Sequence, residues 1–271
     1  NNTVNISCGT IRSVGASIDV YGGHVNKGSA NNNTVNISGG TIRSVGFPTY
    51  VYGGYSEMGS ANDNIVNISC GTISSYGFPT YVYGGYSEMG SANDNEIIIR
   101  GSADITNANL YGRNDSASGT GNTLTIDGWS DSTQSVKNFN YIAFKNISWD
   151  DDGTVLTITA GDADDLKNTT IDTIHIAGGS NINVGESMTL IESGNNTDLG
   201  LTEGNVTDTF TAGVAREGLG STSVDENVVT FNIDSVKLSS QAVSAAQTRA
   251  ASAAFVNQGT DLISDSLDTI S

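Results

Sequence analysis

A repeat of 31 residues runs through the first half of the chain and restricts it to folds that stack equivalent units. The residues Thr-Val-Asn-Ile-Ser occur at Thr3–Ser7 and again 31 positions later at Thr34–Ser38. Ile65–Ser69 and Glu96–Arg100 keep that spacing, and Thr123–Asp127 ends the series after a shorter unit of 27 residues. One such unit cannot bury its own apolar face, so the units must share a continuous core.

Each repeat contains about three short strand candidates, separated by the Gly and Asn residues that tolerate tight turns. In the second repeat these candidates are Thr34–Ser38, Thr41–Val45 and Tyr50–Tyr55. The pattern predicts a parallel β-helix with one 31-residue repeat per coil, and the general preference of parallel crossovers favours a right-handed one. The alternative, a row of antiparallel hairpins, would need Asn-Gly turns, and the sequence contains no Asn-Gly pair.

Strand alternation predicts which side chains line the core, because successive side chains point to opposite faces. Two apolar columns should face inward: Val4, Val35, Val66, Ile97 and Leu124 in one, and Ile6, Ile37, Ile68, Ile99 and Ile126 in the other. Asn5, Asn36 and Asn67 lie between these columns and should face solvent, where stacked Asn side chains form hydrogen-bonded ladders.

The 31-residue period is lost after Gly128, where the composition also changes. Large aromatic side chains are concentrated between Trp129 and Trp149. We predict that residues 1–127 form the parallel β-helix and that residues 128–235 form a larger-cored C-terminal β cap. A cap is needed because the last coil would otherwise leave an open strand edge.

The last segment, residues 236–271, is predicted to be a short α-helical linker. Its positions 238–256 are rich in Ala and contain neither Gly nor Pro, which favours a helix, and Gly259 is the expected helix end. Nearly all of its side chains are small, so the helix would fit a narrow channel. The chain as a whole is therefore predicted to be all-β apart from this linker.

The charge balance and the missing motifs exclude several classes of function. With 29 acidic and 11 basic residues, the net charge is −18, which opposes binding to nucleic acid, and we expect no nucleic-acid partner. The sequence has no phosphate-binding loop, no nucleophile-elbow motif and no Cys/His cluster. Neither a cofactor nor a metal ion is therefore expected.

Acidic residues are the remaining candidates for catalysis or metal binding. Glu57 aligns with Glu88, but the two are copies in equivalent turns, whereas acid–base catalysis needs two carboxylates in different environments. The acidic runs Asp150–Asp152 and Asp162–Asp165 lack the spacing of a calcium loop and are expected to be solvated turns. We predict a protein without catalytic residues.

Tyrosine residues recur at equivalent positions of successive repeats, and they are the predicted binding residues. Each lies next to an apolar residue that should face inward, so the tyrosines should face outward. They form two columns, one of Tyr21, Tyr52, Tyr83 and Tyr111 and one of Tyr50 and Tyr81. Such columns are able to stack on sugars or anchor a protein partner; the alternative is that they stack only on one another and stabilise the coils.

The two cysteines, Cys8 and Cys70, are 62 positions apart, which is two full repeats. Equivalent residues two coils apart should be separated by roughly 9.6 Å, whereas a disulfide joins Cα atoms that are at most about 7 Å apart. We predict two free thiols, although exported proteins commonly form disulfides.

Three segments, taken in chain order, resemble the C-terminal passenger region of monomeric bacterial autotransporters. The repeats carry Val-Tyr-Gly-Gly and Gly-Ser-Ala-Asn, Phe139–Ile158 is similar to the hydrophobic C-terminal passenger segment, and Ala253–Leu262 is similar to the linker that threads the outer-membrane β-barrel. The resemblance implies an exported fragment whose own β-barrel, absent here, anchors it to the bacterial outer membrane. It also implies that residues 128–235 act like an autochaperone segment.

These features together predict the surface-displayed, non-enzymatic stalk of an adhesin. Its expected partner is a protein or glycan on the surface of a host cell or a neighbouring cell. Two alternatives stay open. The stalk could be a spacer for an enzymatic domain located upstream, or it could self-associate and link cells through paired β-helices.

Overall fold

The computed structural model describes residues 1–149, 153–225 and 227–268, and for residues 259–268 it describes the backbone only. The chain forms a parallel β-helix of about six turns followed by one C-terminal helix, which confirms the predicted β-helix. The elements are β1 (Thr3–Ile6), β2 (Thr10–Val14), β3 (Ile18–Tyr21), β4 (His24–Lys27), β5 (Thr34–Val45), β6 (Thr49–Met58), β7 (Ile65–Tyr76), β8 (Thr80–Ser87), β9 (Glu96–Asp104), β10 (Ala108–Arg113), β11 (Thr123–Asp127), β12 (Asp131–Thr133), β13 (Ser135–Lys137), β14 (Tyr141–Ile147), β15 (Leu156–Ile158), β16 (Thr170–Ile176), β17 (Ser187–Ser193), the 3₁₀ helix η1 (Glu203–Asn205), β18 (Thr209–Ala212), β19 (Arg216–Asp225), β20 (Val228–Leu238) and α1 (Ser240–Asp268).

Equivalent strands of successive coils lie above one another and form the walls of the β-helix. The first wall contains β1, β5, β7, β9, β11, β14, β16 and β18, all paired in parallel. Thr34 pairs with Thr3 on one side and with Ile65 on the other, so one 31-residue repeat makes one coil. A separate sheet of β3, β6, β8, β10 and β13, with β4 beside β6, forms another wall, called here the third wall.

A glycine corner separates the first wall from a second wall, which contains β2, the part of β5 from Thr41 onward and the part of β7 that pairs with it. The sequence predicts two strands in this part of the repeat, Thr34–Ser38 and Thr41–Val45, whereas the structure joins them into the single strand β5. The chain crosses the corner at Gly40, whose φ is 83°, a backbone conformation that Gly adopts without steric cost. Pairing with β7 is irregular at this corner and resumes at Thr41, so both arms keep their partners.

Both predicted apolar columns lie in the core. Their members from the second coil onward are at most 1% exposed, and the third wall adds a further fully buried set: Val35, Val66, Ile97, Leu124, Ile37, Ile68, Ile99, Ile126, Val51, Val82 and Leu110. In the first coil, Val4 and Ile6 are half-buried because only one neighbouring coil covers them. The predicted outer ladder is also confirmed, with Asn36 Nδ2 donating to Asn5 Oδ1 at 2.8 Å.

A second asparagine ladder, which the sequence pattern does not predict, is buried between the coils. Asn33 donates from its backbone N–H and from Nδ2 to Asn64 Oδ1, at 2.9 and 3.0 Å. The same pair of bonds links Asn64 to Asn95 and Asn95 to Asn122. None of these four side chains is more than 2% exposed. The ladder therefore satisfies backbone and side-chain donors that would otherwise be buried without a partner.

The Gly-Gly pair of each repeat makes room for this buried ladder. A Cβ atom added to Gly54 would lie 2.6 Å from Asn64 Nδ2 and 2.3 Å from the carbonyl oxygen of Ala30. A Cβ atom on Gly53 would lie 2.3 Å from the carbonyl oxygen of Gly84. All three distances are too short for any side chain, so the two glycines are required by packing in this coil.

Parallel stacking continues beyond residue 127, although the sequence repeat does not. Thr123 pairs with Tyr141, Tyr141 with Thr170 and His175 with Thr211, so successive coils differ in length by many residues. Larger side chains fill this part of the core: Trp129, Phe139, Phe144, Trp149, Phe210 and Phe231 are all buried.

An antiparallel hairpin, β19–β20, closes the C-terminal end of the coils. Strand β19 pairs with β18 of the first wall, and β20 pairs with β17, whose other neighbour is β15. The hairpin therefore joins two walls of the β-helix and covers an edge of each. Covered edges cannot pair with strands of other chains.

Helix α1 begins later and runs further than the sequence predicts. Strand β20 extends to Leu238, and the Ser239 hydroxyl then accepts a hydrogen bond from the Ala242 N–H at 3.2 Å and donates one to the Val214 carbonyl at 2.8 Å. The expected end at Gly259 is wrong, because one Gly costs a helix only about 1 kcal/mol relative to Ala. Among the described residues, no helix combines the length and apolar character needed to cross a membrane.

Candidate functional site

The first tyrosine column lies on the outer face of the third wall, where strand alternation positions it. Val51, which precedes Tyr52, is fully buried, so the tyrosine points away from the core. Register places four rings one above the next: Tyr21, Tyr52, Tyr83 and Tyr111. Neighbouring rings stack, with centroids 5.0, 5.4 and 4.9 Å apart.

The second column, Tyr50 and Tyr81, lies directly beside the first. Its two rings stack with centroids 5.2 Å apart and planes 13° apart. Tyr50 is 5.8 Å from Tyr52, and Tyr81 is 6.2 Å from Tyr83, again between ring centroids. The structure therefore brings all six tyrosines predicted from the sequence onto one face.

A third column, His24, Tyr55 and Tyr86, extends this face and was not among the predicted binding residues. Its ring centroids are 4.9 Å apart at each step. The signal was present in the sequence, since these three residues follow the same 31-residue spacing. We call the nine side chains together the tyrosine face: Tyr21, His24, Tyr50, Tyr52, Tyr55, Tyr81, Tyr83, Tyr86 and Tyr111.

The first and third columns pack in a herringbone pattern. The ring of Tyr55 is inclined by 77° to that of Tyr52, and the ring of Tyr86 by 88° to that of Tyr83. The rings of the first and second columns, and those of Tyr55 and Tyr86, cover one another's faces, whereas the His24 ring is inclined by 84° to that of Tyr55. Mainly ring edges and hydroxyl groups therefore remain for contact with a partner. The central Tyr52 is only 7% exposed, whereas Tyr50 is half-buried and more accessible.

Burial raises the pKa of several tyrosine hydroxyls of the face, including those of Tyr21, Tyr50 and Tyr86. Burial, as the largest cause, raises the pKa of Tyr52 and of Tyr83 far above the ordinary tyrosine value, and nearby tyrosines add to the effect. Burial also raises the pKa of Tyr55, whose hydroxyl donates a hydrogen bond to Glu88 Oε1 at 2.7 Å. The face therefore offers neutral hydroxyl groups, each able to donate and accept a hydrogen bond.

Repeated acidic residues have structural partners in the coils. Glu88 accepts the hydrogen bond from Tyr55. Asp63 and Asp94 adopt left-handed φ values of 56° and 52°, which Asp tolerates better than most residues in a tight turn.

The two acidic runs singled out in the sequence differ in their surroundings. Asp150–Asp152 lies outside the described residues. The prediction of a solvated turn fits Asp162, whose side chain is 78% exposed, but is wrong for Asp165, which is 10% exposed and lies 3.4 Å from Lys137 Nζ. In the described part of the chain, no three His, Cys, Asp or Glu side chains are placed to hold a metal ion.

Both cysteines are free, as the spacing predicts. The Ser102 hydroxyl donates a hydrogen bond to Cys70 Sγ at 3.4 Å.

Comparisons with known proteins do not identify a family for this chain. It matches no protein-family model, no curated protein and no solved structure. The fold and the geometry of the tyrosine face are therefore the basis on which a function is assigned.

Proposed function

We propose that this chain is the non-catalytic stalk of a cell-surface adhesin of the autotransporter type. Its tyrosine face would bind a protein or glycan on a host cell or a neighbouring cell. The observation that carries the proposal is the tyrosine face itself, whose stacked rings span four coils.

The physical state of these rings favours binding. Tyrosine is enriched at interface hot spots because its ring combines a large apolar area with a polar tip. Stacking already restricts the rings, so a partner that contacts them costs little additional side-chain entropy. The accessible Tyr50 and Tyr81 are the residues expected to contribute most to binding, while the buried Tyr52 contributes mainly to the coils.

The rest of the chain fits a displayed stalk. A net charge of −18 favours solubility outside a cell, and stacked coils form an extended scaffold. The small, mostly exposed side chains of α1 before residue 259 fit the linker that the autotransporter resemblance implies. Near-identical coils also argue against catalysis, because a catalytic site needs groups in unlike environments.

The experiment compares two pairs of aromatic residues in the same two coils. Cells displaying the chain with Tyr50→Ser and Tyr81→Ser are compared with cells carrying Phe47→Ser and Phe78→Ser. The two phenylalanines also stack, 6.1 Å apart, and are 43% and 50% exposed, but they lie at a corner outside the tyrosine face. We expect the tyrosine pair to weaken adhesion by more than tenfold and the phenylalanine pair to leave it unchanged.

Unchanged adhesion in the tyrosine variant, or equal loss in both variants, would contradict the proposal. Circular dichroism of each purified variant checks that the coils are intact. Sedimentation of the parent chain distinguishes the self-association alternative, because a self-associating chain forms oligomers without any other cell present.

A further inference from the structure

A polar cleft lies at the foot of the tyrosine face, where the aromatic columns end. In the first column, Lys137 takes the position below Tyr111. Arg113 pairs in register with Gly85, so a long charged side chain stands where the repeat has glycine. The chain therefore departs from its repeat next to the tyrosine face.

The cleft has a volume of about 260 Å³, and nine of its ten lining residues carry polar side chains. Its walls are held by internal bonds. Asn138 Nδ2 donates to the Arg113 carbonyl at 3.1 Å and to Asp115 Oδ1 at 2.7 Å. Lys137 Nζ contacts Asp162 Oδ2 at 2.5 Å and Asp165 Oδ1 at 3.4 Å. These contacts fix the side chains before any ligand arrives.

Two charged groups of the cleft retain free hydrogen-bonding capacity. Arg113 Nη1 donates to the carbonyls of Asn114 and Ala117, at 3.2 and 2.7 Å, and the guanidinium forms no ion pair with any described residue. Its remaining N–H groups are therefore available as donors. Asp115 accepts the one bond from Asn138 and has further acceptor sites.

We propose that this cleft binds a neutral saccharide unit, an inference that rests on the proposed binding function of the tyrosine face. The guanidinium of Arg113 supplies donors, the carboxylate of Asp115 supplies acceptors, and the exposed amide of Asn168 supplies both. Such planar groups bind neighbouring hydroxyl groups in pairs.

The charge of the cleft favours a neutral ligand over a charged one. Its lining contains two cations and three carboxylates. Lys137 contacts both Asp162 and Asp165, and Asp164 lies 3.3 Å from Lys167. That leaves one free cation, Arg113, and one free anion, Asp115. A ligand of either charge would attract one of them and repel the other.

The position of the cleft beside the tyrosine face suggests how a longer glycan would run from it. Arg113 lies two residues after Tyr111 on the same strand, β10, so a glycan chain leaving the cleft would pass over the ring edges of the tyrosine face. The cleft would then bind the end of the chain, and the tyrosines would contact its following units.

The experiment titrates the full ¹⁵N-labelled chain with free sugars and follows its amide resonances. The neutral probes are methyl α-glucopyranoside and methyl N-acetyl-β-glucosaminide, and the charged probes are glucosamine and glucuronate. We expect both neutral probes or one of them to shift the amides of Asp115, Asn138 and Asn168 in a saturable way. Arg113→Gln should weaken this binding about tenfold, whereas Arg43→Gln, on another wall, should not change it.

The inference is overturned if no neutral probe shifts these amides, if only the charged probes do so, or if Arg113→Gln binds as the parent does. Should Arg113→Gln fold poorly, Arg113→Gly replaces it, because glycine is the residue of the preceding coil in register. The outcome is independent of the adhesion assay. Adhesion that depends on Tyr50 and Tyr81 without sugar in the cleft refutes only this inference.

Discussion

The two parts of the β-helix reach the same fold by different means. Residues 1–127 repeat every 31 residues, apart from a last unit of 27, and fill their core mainly with Val and Ile in matching columns. Residues 128–238 have coils of unequal length and add Trp and Phe, such as Trp129 and Phe144, to an otherwise mainly aliphatic core. Periodicity therefore simplifies stacking but is not required for it. What both parts share is parallel pairing around a closed apolar core.

The contrast between repeated and non-repeated positions also helps to distinguish residues that stabilise the coils from candidate binding residues. In the coils of residues 1–127, called here the regular coils, equivalent positions carry the same side chain. Ladders of Asn and Tyr therefore form across several coils. Where the repeat ends, single unlike side chains such as Arg113 and Lys137 meet in one cleft. A residue that recurs at the same position of each coil is explained by its stacking on its copies. A residue that departs from the repeat, such as Arg113, has no copy to stack on and needs another explanation.

The largest expected effect is that of removing the β19–β20 hairpin. A deletion of residues 216–238 leaves edges of β17 and β18 unpaired. We expect the coils after residue 127, called here the irregular coils, to unfold and become sensitive to protease. A matched truncation after Ser239 removes only α1 and should leave protease resistance unchanged. Equal resistance of the hairpin deletion and its parent would show that the irregular coils need no closure.

High pH should unfold the regular coils before the irregular ones. Seven tyrosines have a raised pKa in the folded chain, chiefly through burial, and all lie in the regular coils: Tyr21, Tyr50, Tyr52, Tyr55, Tyr83, Tyr86 and Tyr111. An unfolded tyrosine loses its proton near pH ~10, and the folded one keeps it longer. The stabilisation is thus fully present below that pH and is lost as the pH rises.

Tyrosinate absorbance and tryptophan fluorescence report separately on the two parts of the β-helix. Both tryptophans, Trp129 and Trp149, lie in the irregular coils. We expect tyrosinate absorbance to rise together with loss of β-sheet circular dichroism, while tryptophan fluorescence changes at higher pH. Tyrosinate formation by most of the ten tyrosines at an ordinary pH, with the β-sheet signal intact, would be the contrary result.

A core truncation should cost more in the irregular coils than in the regular ones. Phe144 is fully buried, and Phe144→Ala is expected to lower the free energy of unfolding by about 3–5 kcal/mol, because large neighbours cannot collapse into the space. Ile99 is also fully buried, and the corresponding truncation in the regular coils, Ile99→Ala, should cost about 2–3 kcal/mol, at the lower end of the range for such changes. Urea unfolding measures both, and equal costs would remove the distinction between the two cores.

The buried asparagine ladder should matter more than the outer one. Asn64→Ala leaves the backbone N–H and Nδ2 of Asn33 without an acceptor, at an expected cost of about 2–4 kcal/mol. Asn36→Ala breaks the outer ladder, where water replaces the lost partner, and should cost about 0.5–1 kcal/mol. Urea unfolding of the two variants tests this, and similar values would mean that water reaches the inner ladder.

The smallest effect is expected at the cysteines. Cys70→Gly should change the free energy of unfolding by less than about 1 kcal/mol, because Cys70 is only partly buried and lies at the irregular corner, where the register places the small residue Ser38 opposite it. Thiol titration of the unfolded, unreduced chain should find two thiols. A Cys8–Cys70 disulfide found by mass spectrometry would contradict the coil register.

Some features of this protein followed from its sequence alone. A strand exposes alternate side chains on opposite faces, and a fixed period places equal residues above one another. These two rules sufficed to predict the β-helix, the buried columns that contain Val35 and Ile37, the outer ladder of Asn36 and the six outward tyrosines.

Other features were decided only by the tertiary structure. Asn33 and Asn64 lie in turns, where polar residues normally face water, yet the closed coil buries them and their amides must pair with each other. The coils after residue 127 are held together by long-range pairing that no sequence period records. The cleft beside Arg113 arises where residues far apart in sequence meet below Tyr111. The alternation of side chains is a property of one strand and can be predicted from the sequence. Which turn residues are buried, and which distant residues meet in a cleft, depends on how all the coils pack.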